Sequence, residues 1–176
     1  MSLLMSASRQ KRPLRYDSSF RYSPALSLLK IRRLDLLKSL FGAVRIPQGV
    51  FDELTANPAF LEEAEEIREC EFIEIQDVNP QEVSLFRRTT GLDLGESEAL
   101  VLTNRLNADL LLVDEIRARH VAKTIGLNIM GTIGIFRAAY KDGYISADEV
   151  REAVEILRSS GRHIGERLFK KLLESL

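Results

Sequence analysis

Four short apolar runs, each followed by a helical pattern, constrain this chain more than any other feature. They are AVRI (Ala43 to Ile46), FIEI (Phe72 to Ile75), DLLLV (Asp109 to Val113) and LNIM (Leu127 to Met130). Short apolar strands alternating with helices predict an α/β fold with a mainly parallel central sheet flanked by helices. At 176 residues and 45% hydrophobic, the chain is long enough to bury one sizeable core.

In such a sheet the ligand crevice lies outside the carboxyl ends of the strands. Asp114 follows the DLLLV strand directly, and Glu53 lies on the helix after AVRI. Glu96 and Glu98 open the helix before DLLLV, within LDLGESEALVLTNRLNADLLLVD (Leu92 to Asp114). Three or four carboxylates converging on one point need a cation to stay ionised, which points to Mg²⁺ or Mn²⁺. Two-metal carboxylate sites cleave phosphodiesters by activating a water and stabilising the leaving oxygen.

Each of these acids also has a structural explanation. Asp93 and Glu96 stand at the D-x-x-E spacing of a capping box. Asp114 is placed to cap the helix expected at 115–124, and Glu98 gains from the dipole of its own helix. Glu53 is one of nine acids between Asp52 and Glu74, most of them expected in solvent. Spacing alone leaves both readings open.

The rest of the chain falls into order around these strands. Ser23 reads as an N-cap with Pro24 at the first helical position, and a second helical segment closes at Gly42. Pro47 is expected to start the helix that carries Val50, Phe51 and Leu54. An acidic helix is expected at 59–69, and another at 80–89 closed by Gly91. Further helices are expected at 95–107 and 115–124, and a third ends near Gly143. A C-terminal helical pair at about 146–159 and 163–174 finishes the chain. Its apolar residues Val150, Val154, Leu157, Ile164, Leu168 and Leu172 are expected to pack on the protein's own core, with a dimer or partner face as the alternative. Residues 1–22 (containing RQKRPLRYDSSFRY) show neither helical nor strand periodicity and read as an irregular basic arm ahead of one domain at 23–176.

The net charge of −1 conceals a polarity. Residues 1–50 carry ten Lys/Arg against two acids, a net of +8, so the remainder carries −9. That asymmetry permits a polyanionic partner on one face or internal complementation within the fold. The single Cys70 excludes an intramolecular disulfide and fits a reducing compartment, so a cytoplasmic location is expected. No apolar run approaches the roughly 20 residues of a membrane span, and no secretory leader is expected at MSLLMSAS. GTIG (Gly131 to Gly134) reads first as a tight turn packing a helix on the sheet, and second as a phosphate cradle. His120 and His163 have no partner at metal-ligand spacing, and Arg117, Arg119 and His120 read as a solvated helix face.

LDLGESEALVLTNRLNADLLLVDEIRAR, GLNIMGTIGIFRAAYKDGYIS and SPALSLLKIRRLDLLKSLFGAVRIPQGVFDEL together resemble the PIN-like family of prokaryotic proteins related to VapC-type toxins. The resemblance runs from about Ser23 to the C-terminus. It implies a PIN fold with an acidic pocket at one sheet edge and an Mg²⁺- or Mn²⁺-dependent endoribonuclease. Such an enzyme is often the toxin of a toxin–antitoxin pair, which implies RNA and an antitoxin protein as partners, with a homodimer as a further expectation and no membrane. The family's metal-binding acids fall on Glu53, Glu96 and Asp114, with Glu98 as a fourth and Glu115 beside Asp114.

One departure bears on activity. The family begins with an apolar strand and D-[ST]-S-P, whereas this chain has Arg21-Tyr22-Ser23-Pro24. Arg21 stands where the first Asp ligand belongs, and Tyr16-Asp17-Ser18-Ser19 replaces the strand. An Arg for an Asp changes the local charge by two units and places a fixed cation where a metal would bind. Asp17 is too far along the chain to substitute, since four residues span more than ~10 Å. Strand and Asp are missing together, as expected if the segment was altered as a block rather than by one substitution. The alternative function is accordingly a catalytically degenerate PIN domain that binds RNA or protein.

Overall fold

Ser23 sets the first helix in place. In the computed structural model, which describes residues 23–56, 61–160 and 166–176, its hydroxyl accepts the Leu26 N–H at 3.2 Å. Pro24 fills the first helical position, where its missing N–H costs nothing. Helix α1 (Pro24–Lys30) and α2 (Asp35–Phe41) lead to β1 (Val44–Pro47) and α3 (Gln48–Ala56). Then come α4 (Leu61–Glu69), β2 (Ile73–Gln76), α5 (Pro80–Thr90) and α6 (Leu94–Arg105). The second half runs β3 (Leu111–Leu112), α7 (Ile116–Thr124), β4 (Ile129–Met130), α8 (Thr132–Lys141), α9 (Ala147–Ser159) and α10 (Glu166–Leu173).

The α/β class and the parallel pairing follow the sequence reading. β1 pairs with β2 in parallel, Val44 opposite Ile73. β3 pairs with β4 in parallel, Leu111 opposite Ile129. Among the described residues these are two separate two-stranded sheets rather than one continuous sheet. Pro47 is the last residue of β1, not the first of a helix. β1 bonds to β2 through Val44 and Ile46, so a proline at position 47 removes no ladder bond.

The closure of α5 expected at Gly91 is in place: Gly91 lies in the left-handed region (φ 69°), where a side chain would be strained. Asn79 caps the other end of α5, accepting the Gln81 N–H at 2.9 Å. The main core joins Leu28, Leu36 and Leu37 of the first two helices to Ile135 and Phe136 of α8. Val150, Val154, Leu157 and Leu172 are fully buried in the same core, so the C-terminal pair packs on its own domain. Leu168 is the exception and faces outward, while Ile164 lies outside the described residues. A smaller cluster, Leu92, Leu100, Leu111, Ala118 and Ala122, fixes α6 and α7 against β3. No helix among the described residues is long and apolar enough to cross a membrane.

Candidate functional site

The carboxyl ends of β1 and β3 open into one cavity of about 420 Å³, lined among others by Pro47, Gly95, Glu96, Asp114 and Glu115. Two of the four acids singled out from the sequence, Glu96 and Asp114, therefore share a single space.

Asp114 follows β3 and reaches across the edge of β4 to the start of α8. Its Oδ1 accepts the Thr132 N–H at 2.8 Å, and its Oδ2 accepts the Thr132 hydroxyl at 2.5 Å. The carboxylate thus sits at a helix N-terminus, where exposed N–H groups and the helix dipole favour negative charge. Gly131 makes this approach feasible. A Cβ there would come within 2.5 Å of Asp114 Oδ1 and 2.9 Å of Arg119 Nη1. The expectation that Asp114 caps the helix at 115–124 is corrected: Glu115 holds that position and accepts the Ala118 N–H at 2.7 Å. Thr132 gives its N–H to Asp114, and a Cβ on Gly134 would collide with Met130. The GTIG turn thus packs α8 against the sheet edge.

Glu96 has the capping-box role that its spacing predicted. Asp93 Oδ1 accepts the Glu96 N–H at 2.8 Å, and Glu96 Oε2 accepts the Asp93 N–H at 3.3 Å. The other oxygen of each carboxylate, Asp93 Oδ2 and Glu96 Oε1, is buried without a hydrogen-bond partner. Burial pushes the Glu96 carboxyl up to about 7, and the charges of Asp93 and Glu115 add to the rise. The Asp93 backbone hydrogen bond and Arg117 oppose it. Asp93, read from the sequence as a cap, and Glu115, the cap that the structure puts in place of Asp114, are thus electrostatic neighbours of Glu96.

Glu98 lies on the same helix but on another side. Two residues turn it ~200° away from Glu96, and its carboxylate packs directly on the backbone of Gly49 in α3. Its Oε2 is buried and unpartnered. Burial raises its pKa, Asp52 adds to the rise, and Arg87 lowers it. Glu53 is half-buried on α3. The basic group on α7 divides: Arg119 is partly buried and donates to the Val113 carbonyl at 2.7 Å. Arg117 donates to the Gly91 carbonyl at 3.2 Å, and His120 is exposed. Burial, then Glu66 and Glu69, push the Cys70 thiol up, which disfavours the thiolate needed of a nucleophile.

Among the described residues, no three His, Cys, Asp or Glu side chains gather closely enough to hold a metal ion. Glu96 offers one unpartnered oxygen, both Asp114 oxygens already accept from Thr132, and Glu98 opens on a different side. These side chains alone do not make up an Mg²⁺ or Mn²⁺ site.

Parallel strands joined by helical crossovers, with carboxylates gathered beyond their carboxyl ends, define an α/β protein of the kind that places its ligand crevice at that edge. A family model described as DUF3368, a PIN domain, matches residues 22–176, so the chain belongs to the PIN-domain family. The match begins one residue after Arg21. No curated protein and no solved structure matches the chain.

Proposed function

We propose that this chain is a nuclease-type PIN protein that acts on RNA. The observation that carries the reading is Glu96, whose Oε1 is buried without a partner beside a cavity that Asp114 also lines. A carboxylate oxygen so placed calls for a cation or a proton. In this reading Glu96, Asp114 and Glu53 form the catalytic and metal-binding set for Mg²⁺ or Mn²⁺, with Glu98 as the fourth acid. Exposed basic side chains such as Arg117 hold the phosphate backbone without reading bases. The finer reading is a cytoplasmic endoribonuclease toxin, with an antitoxin protein and a second copy of the chain as protein partners.

A second reading, a PIN domain that binds RNA or protein without cleaving it, is favoured by two observations. Asp114 is already engaged by Thr132, and Arg21 stands where the family has an Asp. An RNA-cleavage assay in Mn²⁺ with a Glu96→Gln control separates the two. Cleavage that needs the ion and disappears in the variant supports the nuclease. Purified protein that retains RNA in a gel shift yet never cleaves it supports the binding module.

A further inference from the structure

Strand β2 is paired on one side only. β1 lies along it in parallel, and among the described residues no strand pairs with its other side. In a parallel ladder, alternate residues direct their N–H and C=O to opposite neighbours. Val44 donates to the Phe72 carbonyl, and the register Val44–Ile73 and Ile46–Ile75 turns the backbone groups of Glu74 toward β1 as well. Ile75 therefore directs its N–H and C=O outward, and Ile73 its C=O. The Ile73 N–H is already given to the Cys70 carbonyl at 3.2 Å. The Ile75 side chain shares this exposure at 40%. Outward backbone groups beside an uncovered isoleucine make a template for a further strand.

We propose that the outer edge of β2 docks a basic, extended peptide segment of a partner protein, which joins the sheet as a strand. Charge selects this occupant. Between positions 69 and 77 the chain carries Glu69, Glu71, Glu74 and Asp77 and no Lys or Arg. Arg45 pairs with Glu74 at 2.8 Å from the β1 side. Glu69, Glu71 and Asp77 are exposed, and none of them forms an ion pair among the described residues. Charges on an edge strand ordinarily guard it against pairing. Here they share one sign, so they repel a second β2 edge and attract a chain that carries Lys or Arg. Ile73 and Ile75 lie on one face of the strand, with Glu71 just before β2 and Asp77 just after it. The segment that fits has an apolar centre and a cation at each end. The backbone bonds supply pairing in either direction, and the end charges supply selection. The proposal does not depend on nuclease activity.

Amide hydrogen exchange and binding on the full-length chain test it, with the capped peptide Lys-Thr-Val-Thr-Val-Thr-Lys as probe and the same peptide with Glu at both ends as control. Saturating basic peptide is expected to slow exchange of the Ile75 N–H at least ~10-fold. The Val44 N–H, bonded to Phe72, reports an intact sheet throughout. Ile75→Pro removes the outward N–H and is expected to weaken binding at least ~10-fold. Glu71→Lys combined with Asp77→Lys leaves the backbone edge intact and should weaken binding by a similar factor, so the test survives a proline variant that fails to fold. Absence of binding at millimolar basic peptide overturns the proposal. So does binding that leaves Ile75 exchange unchanged, or equal affinity for the basic and acidic peptides. Ile75 protection that rises with protein concentration in the absence of peptide, alongside a dimer mass in light scattering, assigns the edge to a second copy and also overturns it.

Discussion

Thr132 donates two hydrogen bonds to Asp114, its N–H to Oδ1 at 2.8 Å and its hydroxyl to Oδ2 at 2.5 Å, and so ties the end of β3 to the start of α8. Thr132 is fully buried, so its hydroxyl has no water to fall back on. Thr132→Val keeps the shape and removes one charge-assisted hydrogen bond. The expected loss is about 1.5–3 kcal/mol, read as a lower urea midpoint at unchanged slope. Stability within error of the parent would show that Asp114 finds its main stabilisation elsewhere.

The pH dependence of stability should carry the mark of Glu96. Its folded pKa, about 7, lies above its ordinary value of 4.5, with burial as the main cause. Between those values the folded chain holds a proton that the unfolded chain has released. The stabilisation is complete below pH 4.5 and is lost as pH rises through 7. Glu96→Gln keeps an acceptor for the Asp93 N–H and never ionises. Thermal midpoints measured from pH 4 to 8 should fall less steeply for the variant than for the parent. Parallel curves would place the titration on another group.

The α/β class was legible because the strands are apolar, short and separated by helices. Ser23-Pro24 and the Asp93–Glu96 box were legible because caps are local chemistry, satisfied within three residues. The pairing of Asp114 with Thr132 was not, since eighteen residues separate them and only the adjacency of β3 and β4 brings them together. A carboxylate at one strand end and a Gly-Thr helix start after the next strand were the available signal. The expectation for Glu98 needed helical phase as well as proximity: two residues along α6 put it against Gly49, away from Glu96.

Helix α10 offers a contrast within two turns. Leu172 is fully buried and Leu168 is 53% exposed. Leu172→Ala should cost about 2–5 kcal/mol through lost burial and the cavity left behind. Leu168→Glu should change folding stability by less than ~0.5 kcal/mol, as exposed substitutions do. Equilibrium denaturation of the two variants checks both numbers, and gel filtration of Leu168→Glu adds a test of association. A chain that runs as a dimer and becomes monomeric in this variant would assign the outer face of α10 to self-association.

Arg21 bears on whether a metal ion can reach the acidic edge at all. A guanidinium is permanently charged and binds carboxylates through a fixed fork of donors, so an Arg at the sequence position where the family has a metal-binding Asp is expected to compete with any divalent cation. Arg21→Asp exchanges that competitor for a ligand and shifts the local charge by two units toward the negative. Mn²⁺ affinity, titrated by calorimetry on the full-length chain, should rise at least ~10-fold, the scale of a single 1.4 kcal/mol interaction. Arg21→Ala should fall between the two, because it removes the competitor without adding a ligand. Equal affinities across parent, Ala and Asp forms would place residue 21 away from the acids. Tighter binding in the Asp form without RNA cleavage would mean that the edge can hold a metal and still lacks another part of a nuclease.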